Sequence, residues 1–471
     1  MTEAETSPRL IIEPGIGEWR SALIDADGFP ASLSFHGDAS ASPVDALFAA
    51  RVTRVDSQLD MAFLDIGKGE WGSGLEGMLN LRRAKLLVKG KAGGIAECVT
   101  EGQRLMVQVV AEPSAMDAKA LAVTPRPKLL GRYVAVEAGG ARLNFSKDLS
   151  AKRQKALKPL LQTAADSAAI IVRSRAASVA PEIVVAEAEA LAGAFNRPSD
   201  KPGLVFARSP LNQALAAAPD DTDIWVDGGS AFADAKALAA THWPDLTPRL
   251  KTYKGEQSAF EAYGVDEAIE EALAERIELP SGGWISITPT PAMTVVDVNM
   301  GGALKGRSAG DAKMIVNLEA AMAVAYHMRF QDIGGLVVVD FIDMASKGAA
   351  RELMATIERA LRDDPVPVQH TGLSHFGLVE FSRKRRGLSL RDRLLVPQAP
   401  TQRPEAAAMA LLRAAIKTGT QSQPGVLVLE TPKPVQAWLE ARPAFLQALA
   451  SKTGRRFEFQ HAKTTTAWLK K

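Results

Sequence analysis

Two apolar segments, TVVDVNMGG (residues 294–302) and GGLVVVDFIDM (residues 334–344), organise the rest of the chain. Each contains a short β-branched run that leads into an aspartate, Asp297 or Asp340. Such runs predict buried strands of an α/β sheet. If the two strands are neighbours, both carboxylates lie at the carboxyl ends of strands, where open α/β sheets bind their ligands.

The segment between the two runs, residues 311–330, has apolar residues at helical spacing. It predicts the helical crossover that a pair of parallel strands requires. We expect its buried face to carry Met314, Leu318, Met322 and Ala325.

Asp297, Asp340 and Asn299 together predict a metal site. Asn299 lies two residues after Asp297 and therefore points to the same face of a strand. Two carboxylates and an amide oxygen are hard ligands that suit Mg²⁺, which keeps several waters and takes further ligands from phosphate. From the residues alone a second interpretation stays open, in which these are ordinary acids at strand ends.

Composition describes a globular protein of several domains: 471 residues, 46% hydrophobic and 23% charged. The N-terminus is polar and acidic, and no apolar run approaches the roughly 18 residues of a membrane span. Cys98 is the only cysteine, which excludes an intrachain disulfide and a cysteine zinc cluster. We therefore expect a cytoplasmic protein without membrane association. The net charge is only +2, but basic residues cluster at 383–386.

Five short β-like runs within residues 46–125 predict a small barrel of the OB type. Such barrels bind single strands with aromatic platforms and basic groups, for which Phe63 and Lys119 are candidates. Phe63 could equally be a core aromatic. Residues 1–45 contain too few strands for a core of their own, so we expect them to join a sheet built from residues 203–275, whose strands and helices alternate.

Residues 126–205 contain a strand that ends at Arg173 and Ser174. A guanidinium and a hydroxyl suit phosphate oxygens, although charged residues that merely follow a strand are common. Residues 276–396 hold the two aspartate segments. Residues 397–471 follow a Pro-rich link, VPQAPTQRP, and predict a small α/β appendage.

Five motifs resemble the bacterial endoribonucleases of the RNase E/RNase G family: LPSGGWISI (279–287), TVVDVN (294–299), NLEAA (317–321), GGLVVVDFIDM (334–344) and FGLVEFSRKR (376–385). The resemblance implies a multidomain α/β fold, with an RNase H-like layer interrupted by an OB-fold barrel and a sensor subdomain, then a DNase I-like catalytic subdomain and a small α/β C-terminal domain. These parts map onto 1–45 with 206–275 (RNase H-like), 46–125 (barrel), 126–205 (5′-sensor), 276–396 (catalytic) and 397–471 (C-terminal).

The resemblance also implies an activity: Mg²⁺-dependent cleavage within single-stranded, A/U-rich RNA, in RNA processing and mRNA decay, leaving 5′-phosphate and 3′-hydroxyl ends. The family's functional positions fall on residues of this chain: Asp297 and Asp340 (metal ligands), Asn299 (support), Asp343 (second rank), Phe63, Met78 and Lys119 (RNA channel) and Gly131, Arg173 and Ser174 (pocket for a 5′-monophosphate). We further expect Arg383, Lys384 and Arg385 to hold the RNA backbone near the metal.

The chain departs from the family pattern at three places. Met78 replaces a channel aromatic, and Pro367 replaces a basic residue near the 5′ pocket. The paired cysteines of the intersubunit zinc link are absent, since LLVPQAPTQ stands in their place. We therefore expect no zinc-linked tetramer, leave a homodimer open, and favour the shorter RNase G-like form.

Two other functions stay open. One is a non-catalytic RNA-binding or ribosome-assembly protein on the same scaffold, and the other is a DNA nuclease. His375 adjoins the FGLVEF motif, and we interpret it as a surface or RNA-contacting histidine rather than as a general base.

Overall fold

A computed structural model describes residues 7–36, 42–67, 75–113, 119–197, 200–304, 308–344, 346–396 and 402–470. The chain divides into two compact units, Met1–Leu395 and Val396–Lys471. Residues 397–401 of the predicted Pro-rich link lie outside the described residues. Among the described helices, none is long and apolar enough to cross a membrane.

The strands are numbered in chain order. Those up to residue 172 are β1 (Arg9–Pro14), β2 (Trp19–Ile24), β3 (Pro30–His36), β4 (Leu47–Asp56), β5 (Met61–Asp65), β6 (Glu76–Asn80), β7 (Arg104–Ala111), β8 (Leu121–Thr124), β9 (Lys128–Leu130), β10 (Val134–Glu137), β11 (Arg142–Phe145) and β12 (Ala169–Val172). The later strands are β13 (Gly203–Phe206), β14 (Asp223–Asp227), β15 (Leu250–Tyr253), β16 (Ile277–Glu278), β17 (Trp284–Pro289), β18 (Thr294–Asn299), β19 (Gly335–Asp340), β20 (Val368–His370), β21 (Leu378–Arg383), β22 (Val426–Thr431), β23 (Phe457–His461) and β24 (Thr466–Lys470).

The helices are numbered in the same way. They are α1 (Leu81–Ala84), α2 (Ala151–Ser167), α3 (Pro181–Ala194), α4 (Pro210–Ala217), α5 (Gly229–His242), α6 (Ala259–Ala262), α7 (Val265–Leu273), α8 (Ala309–Phe330), α9 (Lys347–Ala360), α10 (Leu390–Leu394), α11 (Pro404–Gly419), α12 (Lys433–Glu440) and α13 (Pro443–Thr453).

The first sheet has the strand order β15-β14-β1-β2-β3. Strand β1 pairs in parallel with β14, so that Leu10 lies beside Ile224 and Ile12 beside Val226. The predicted pairing of the N-terminal strands with a sheet from later sequence is therefore confirmed. The physical reason is that the N-terminal strands alone cannot bury their apolar faces.

The second sheet closes into a five-stranded barrel of strands β4, β5, β6, β8 and β7, because β4 also pairs with β7. This closed sheet agrees with the predicted OB-like barrel. Its core contains Phe48, Leu64, Leu79 and Val107.

Strand β13 was predicted to belong to the following α/β layer, and that prediction is wrong. It pairs antiparallel with β4 at the side of the barrel, and Leu204 packs on the barrel core. A four-residue apolar run shows that a strand exists but contains no information about its partner.

The third sheet, β11-β12-β10-β9, packs against α2 and α3 through an apolar core that includes Leu157, Leu161, Ile170 and Val184. The loop between β9 and β10, residues 131–133, lies beside the end of β12.

The fourth sheet has the order β16-β17-β18-β19-β21-β20. Strands β18 and β19 are parallel neighbours, and α8 is the crossover between them, as predicted. Valines of both strands pack with residues of α8 and α9 in one core. The helices thus cover the face of this sheet that carries Val296, Val298, Val337 and Val339. The side chains that alternate with these four valines lie on the opposite face.

The second unit contains the three-stranded sheet β23-β22-β24 and helices α11, α12 and α13. It has an apolar core of its own, which includes Leu411, Leu427, Leu429 and Leu439.

Candidate functional site

Asp297 and Asp340 are partners in the register of parallel strands β18 and β19. Neighbouring strands lie about 4.8 Å apart, and paired residues project from the same face. Asp297 is exposed between buried Val296 and Val298, and Asp340 is exposed after buried Val339. The sheet therefore brings two carboxylates together on the face opposite helices α8 and α9.

Asn299 supports this pair directly. Its amide nitrogen Nδ2 donates a hydrogen bond of 2.7 Å to Oδ2 of Asp297. That bond fixes the orientation of the carboxylate and does not use the amide oxygen of Asn299. On the neighbouring strand β17, Ser286 is the register partner of Asp297 and adds a hydroxyl to the same face.

Asp343 lies three residues beyond Asp340 and is itself exposed, on a segment that Asn317 of α8 holds in place. The fully buried amide of Asn317 donates to the carbonyl of Ile342 at 2.7 Å and accepts from its N–H at 3.0 Å. This pair of hydrogen bonds to the backbone of Ile342 explains why the motif NLEAA begins with an asparagine. Sequence reasoning identified that motif but did not recognise this role for it.

Gly377 borders both Asp340 and Asp343. A Cβ placed on Gly377 would lie 4.0 Å from Oδ1 of Asp340, 3.7 Å from Oδ1 of Asp343 and 3.1 Å from the carbonyl oxygen of Phe341. The backbone φ is +79°, a region that favours glycine. The glycine of the FGLVEF motif thus permits a turn that closely approaches the carboxylates.

The chemistry of this donor set fits a hard divalent cation. Within the described ranges, no cluster of three or more His, Cys, Asp and Glu side chains could hold a metal. Asp297 and Asp340 supply two carboxylates and Asn299 an amide oxygen, so most ligands would come from water or substrate. That is the usual situation for Mg²⁺.

The basic segment 383–386, which begins at the last residue of β21, contains both buried and exposed residues. Arg383 is 3% exposed, and its guanidinium donates to Asp364 at 2.8 Å and to Asp332 at 2.6 Å. Burial alone would lower the pKa of Arg383, but the hydrogen bonds that it donates to the two carboxylates, together with their charge, outweigh burial and raise the pKa. The prediction that Arg383 contacts RNA is therefore wrong, because this side chain is committed to the protein interior.

Lys384 is exposed, and Arg385 donates from Nη2 to the carbonyl of Gly334 at 3.0 Å while remaining partly exposed. Both stay candidates for a phosphate contact. His375 is exposed in the turn that precedes Gly377.

On the barrel, the strand register arranges four residues in a row: Arg54, Phe63, Met78 and Ala122. Phe63 is partly exposed, while its neighbours Ala62 and Leu64 are in the barrel core. Phe63 is thus outside that core. The guanidinium carbon of Arg54 lies 4.1 Å from the centre of the Phe63 ring. Lys119 is exposed three residues before Ala122.

In the third sheet, Arg173 and Gly131 are in contact, since Nη1 of Arg173 donates to the carbonyl of Gly131 at 2.6 Å. Ser174 follows as an exposed residue. Burial, and then the charge of Arg175, lower the pKa of the Arg173 guanidinium. Pro367, which lacks a side-chain donor, is exposed before β20.

The loop at Gly131 is tightly held by Glu187 of α3. The Glu187 carboxylate accepts from the backbone N–H groups of Arg132, Tyr133 and Val134 at 2.7–3.0 Å. A Cβ on Gly131 would lie 2.5 Å from Oε2 of Glu187, so only glycine fits.

The model of the Ribonuclease E/G family matches residues 128–386, more than half of the chain. The chain belongs to this family. The predicted resemblance is thereby confirmed.

Named relatives extend the similarity over most of the chain. Ribonuclease G of Salmonella typhimurium (strain SL1344) is 29% identical over 414 residues, which cover 83% of this chain and 82% of that protein. Ribonuclease E of Haemophilus influenzae is 31% identical over 367 residues, 73% of this chain and 38% of that protein. Ribonuclease E of Nostoc sp. (strain PCC 7120) is 30% identical over 362 residues, 73% of this chain and 51% of that protein.

For this member of the Ribonuclease E/G family, sequence reasoning missed three neighbours of the predicted sites: Arg54, Ser286 and Asn317. Arg54 and Ser286 become visible only through strand register, because the geometry of each hairpin decides which residue of β4 faces Phe63 and which residue of β17 faces Asp297. Asn317 carried a usable signal, since an amide inside an otherwise apolar stretch of helix needs a buried partner.

Proposed function

We propose that this chain is an Mg²⁺-dependent endoribonuclease that cuts single-stranded, A/U-rich RNA internally in RNA processing and mRNA decay. The products would carry 5′-phosphate and 3′-hydroxyl ends. The observation that carries the proposal is the pairing of exposed Asp297 with exposed Asp340 on neighbouring strands, in a chain of the Ribonuclease E/G family. Relatives named Ribonuclease G and Ribonuclease E support the same reaction class.

In this proposal Asp297 and Asp340 hold the metal ion. When bound there, Mg²⁺ lowers the pKa of an attacking water and stabilises charge on the scissile phosphate. Asn299 orients the Asp297 carboxylate through its 2.7 Å hydrogen bond. Asp343 lies at the border of the site beside Gly377, and we assign it no direct ligand role. No separate general base is assigned.

The barrel row of Arg54, Phe63 and Met78 would hold the RNA bases, with Lys119 at the phosphates. The stack of Arg54 on Phe63 supports this role, because a guanidinium plane can itself carry a base on its outer face. The Arg54 guanidinium would also replace part of the stacking surface that Met78, which is not aromatic, does not provide. Lys384 and Arg385 would position the RNA backbone near the metal.

We also propose the domain assignment that accompanies this function: RNase H-like, OB-fold, 5′-sensor, DNase I-like and C-terminal parts in the order given above. The contact between Arg173 and Gly131, next to exposed Ser174, supports a pocket for a 5′-monophosphate. Cys98 is the only cysteine and is buried, so a homodimer would have to form without a cysteine zinc link.

The first prediction tests the metal site. Asp297→Asn and Asp340→Asn keep the side-chain shape but remove a negative charge, so each should reduce RNA cleavage by at least about 100-fold while RNA binding persists. The measurement is cleavage of a single-stranded A/U-rich RNA, with EDTA as a parallel arm. Wild-type rates in both variants, or cleavage that resists EDTA, would show that the site is wrong.

The same assay separates the alternatives. RNA binding without Mg²⁺-dependent cleavage would indicate a binding or ribosome-assembly protein. Equal cleavage of a DNA strand of the same sequence would indicate a DNA nuclease. Equal rates on 5′-monophosphate and 5′-hydroxyl RNA would contradict the sensor pocket at Gly131, Arg173 and Ser174.

A further inference from the structure

Phe376 is unusual among the apolar residues of the described chain because its side chain is 84% exposed. An aromatic ring in water forgoes the stabilisation that burial would bring. Within the part of the chain that the structure describes, no ring or cation stacks on it. The ring is therefore open to a partner from solution.

The turn that carries Phe376 is ordered by hydrogen bonds. Ser374 donates its N–H to the carbonyl of Leu378 at 2.8 Å, and Gly377 donates to the carbonyl of Ser374 at 3.2 Å. The hydroxyl oxygen of Ser374 also accepts from the N–H groups of Phe376 and Leu378, at 3.3 and 3.1 Å. These bonds hold the backbone that carries the exposed ring in a defined place.

That place adjoins the carboxylates. Gly377, the next residue, lies so close to Asp340 and Asp343 that its Cβ would be 4.0 Å and 3.7 Å from their oxygens. Consecutive Cα atoms are 3.8 Å apart. Phe376 therefore stands at the border of the proposed metal site, in a different sheet from the barrel row.

We propose that Phe376 is a stacking subsite for the unpaired nucleobase next to the cleaved phosphate. The inference rests on the proposed function and deepens it, because it names a residue that holds the substrate at the reaction centre. A phosphate at Asp297 and Asp340 carries its own sugar and base to the border of the site, where the ring offers the apolar face on which bases stack. Every base has such a face, so the subsite selects unpaired nucleotides rather than one sequence.

The first test is steady-state cleavage of a short RNA with one cut site, mapped beforehand with the wild-type protein. Phe376→Ala should lower kcat/KM by about 5-fold to 150-fold, the range that loss of one stacked base produces. Phe376→Trp should retain wild-type kcat/KM within about 3-fold, whereas Phe376→Leu, which is apolar but not aromatic, should resemble Phe376→Ala.

The matched control is Phe29→Ala. Phe29 is 65% exposed and also lies at a hydrogen-bonded turn, since its N–H donates to Asp25 at 2.9 Å, but that turn connects β2 and β3 of the first sheet. Its removal should leave kcat/KM unchanged. Equal thermal unfolding of Phe29→Ala and Phe376→Ala would exclude a folding defect as the cause of any difference.

The second test detects stacking without cleavage. A fluorescent purine analogue replaces, in separate RNAs, the base on each side of the mapped cut site, and binding is measured in EDTA. Wild type and Phe29→Ala should quench the emission at one of these positions, and Phe376→Ala should not. Equal quenching by wild type and Phe376→Ala, or no quenching at either position, would overturn the proposal.

The two proposals fail in different ways. If wild type cuts the RNA only with Mg²⁺ but Phe376→Ala matches it in kcat/KM, the stacking subsite is wrong and the proposed function stands. If wild type itself does not cut the RNA, the proposed function has failed, and the stacking subsite fails with it.

Discussion

Arg383 and Lys384 are adjacent basic residues with opposite environments. Arg383 is buried with Asp364, both side chains being 3% exposed, whereas Lys384 is exposed. Buried and exposed side chains alternate along β21, and Arg383, its last residue, falls on a buried position. Lys384 follows the end of the strand and is exposed. Sequence alone presented them as one basic run.

The second prediction follows from this contrast. Arg383→Met should lower the free energy of unfolding by roughly 3–5 kcal/mol, because it leaves the buried carboxylate of Asp364 without its partner. Lys384→Met should leave stability unchanged within about 0.5 kcal/mol. It should instead weaken RNA binding and reduce the slope of log affinity against log salt by about 1. Denaturant unfolding and RNA titrations at several salt concentrations measure both. A larger loss of stability in Lys384→Met than in Arg383→Met would contradict the assignment of Arg383 to the protein interior and of Lys384 to the surface.

Helix α8 shows how an element can be predicted correctly while its buried face is predicted only in part, since of the four residues expected there Ala325 is buried. The helix spans Ala309–Phe330, close to the predicted 311–330, but Met322 is 52% exposed. The buried stripe instead contains Val316, Ala320 and Val324.

The third prediction concerns His327, which is buried near the end of α8. Burial, and then the charge of Arg391, lower the pKa of His327 from 6.5 to about 4. Between about pH 6.5 and pH 4, His327 binds a proton in the unfolded chain but not in the folded chain. The free energy of unfolding should therefore fall as pH drops from about 6.5 to about 4, by about 3 kcal/mol from this residue.

Denaturant unfolding at pH 7 and at pH 4.5 measures this loss. His327→Gln cannot take up the proton and should show a smaller loss between the two pH values. His375→Gln, at an exposed position, serves as control and should keep the wild-type loss. The same loss in His327→Gln as in wild type would contradict the prediction.

The fourth prediction concerns the turn at Gly377. Gly377→Ala and Gly17→Ala both place a side chain at positive φ, +79° and +75°, which costs about 1–2 kcal/mol of stability. Only at Gly377 does the new Cβ meet a neighbour, the carbonyl oxygen of Phe341 at 3.1 Å; at Gly17 nothing lies within 4 Å. Displacement of the turn beside Asp340 should lower kcat for RNA by about 10-fold to 100-fold in Gly377→Ala alone. Similar kcat values for the two variants would show that this turn does not position the site.

At the scale of the whole molecule, stacking of RNA bases along the strand is assigned to the barrel, whereas the chemistry, with the contacts next to the cut site, is assigned to the fourth sheet. The barrel carries the row of Arg54, Phe63 and Met78, and the fourth sheet carries Asp297 and Asp340. This division separates the expected kinetic effects of changes in the two sheets.

The fifth prediction uses that separation. Phe63→Ala and Arg54→Ala should raise KM for a long single-stranded RNA by about 5-fold to 150-fold with little change in kcat. Met78→Phe should lower KM, because it adds a stacking face to the row. Leu59→Ala, at an exposed apolar position of the barrel outside the row, is the control and should change neither constant. A fall in kcat with constant KM would place the row in the catalytic step instead.

Much of the site was predictable because its signals are local. The β-branched runs before Asp297 and Asp340, together with the helix between them, imply parallel neighbours, and the family motifs point to the same residues. The partner of β13 and the burial of Arg383 were not predictable. Each depends on residues far away in sequence, on β4 for the strand and on Asp332 and Asp364 for the arginine.

By itself, the sequence determined the types of element, the paired aspartates and membership of the family, because period-2 runs, helical spacing and motifs are properties of neighbouring residues. Only the tertiary structure decided that Asp297 and Asp340 share one register, that Arg54 lies on Phe63, and that Phe376 is exposed beside Gly377. Strand register and burial follow from packing the whole chain at once. No single segment contains that information, since the same run can pair with any edge that completes an apolar core.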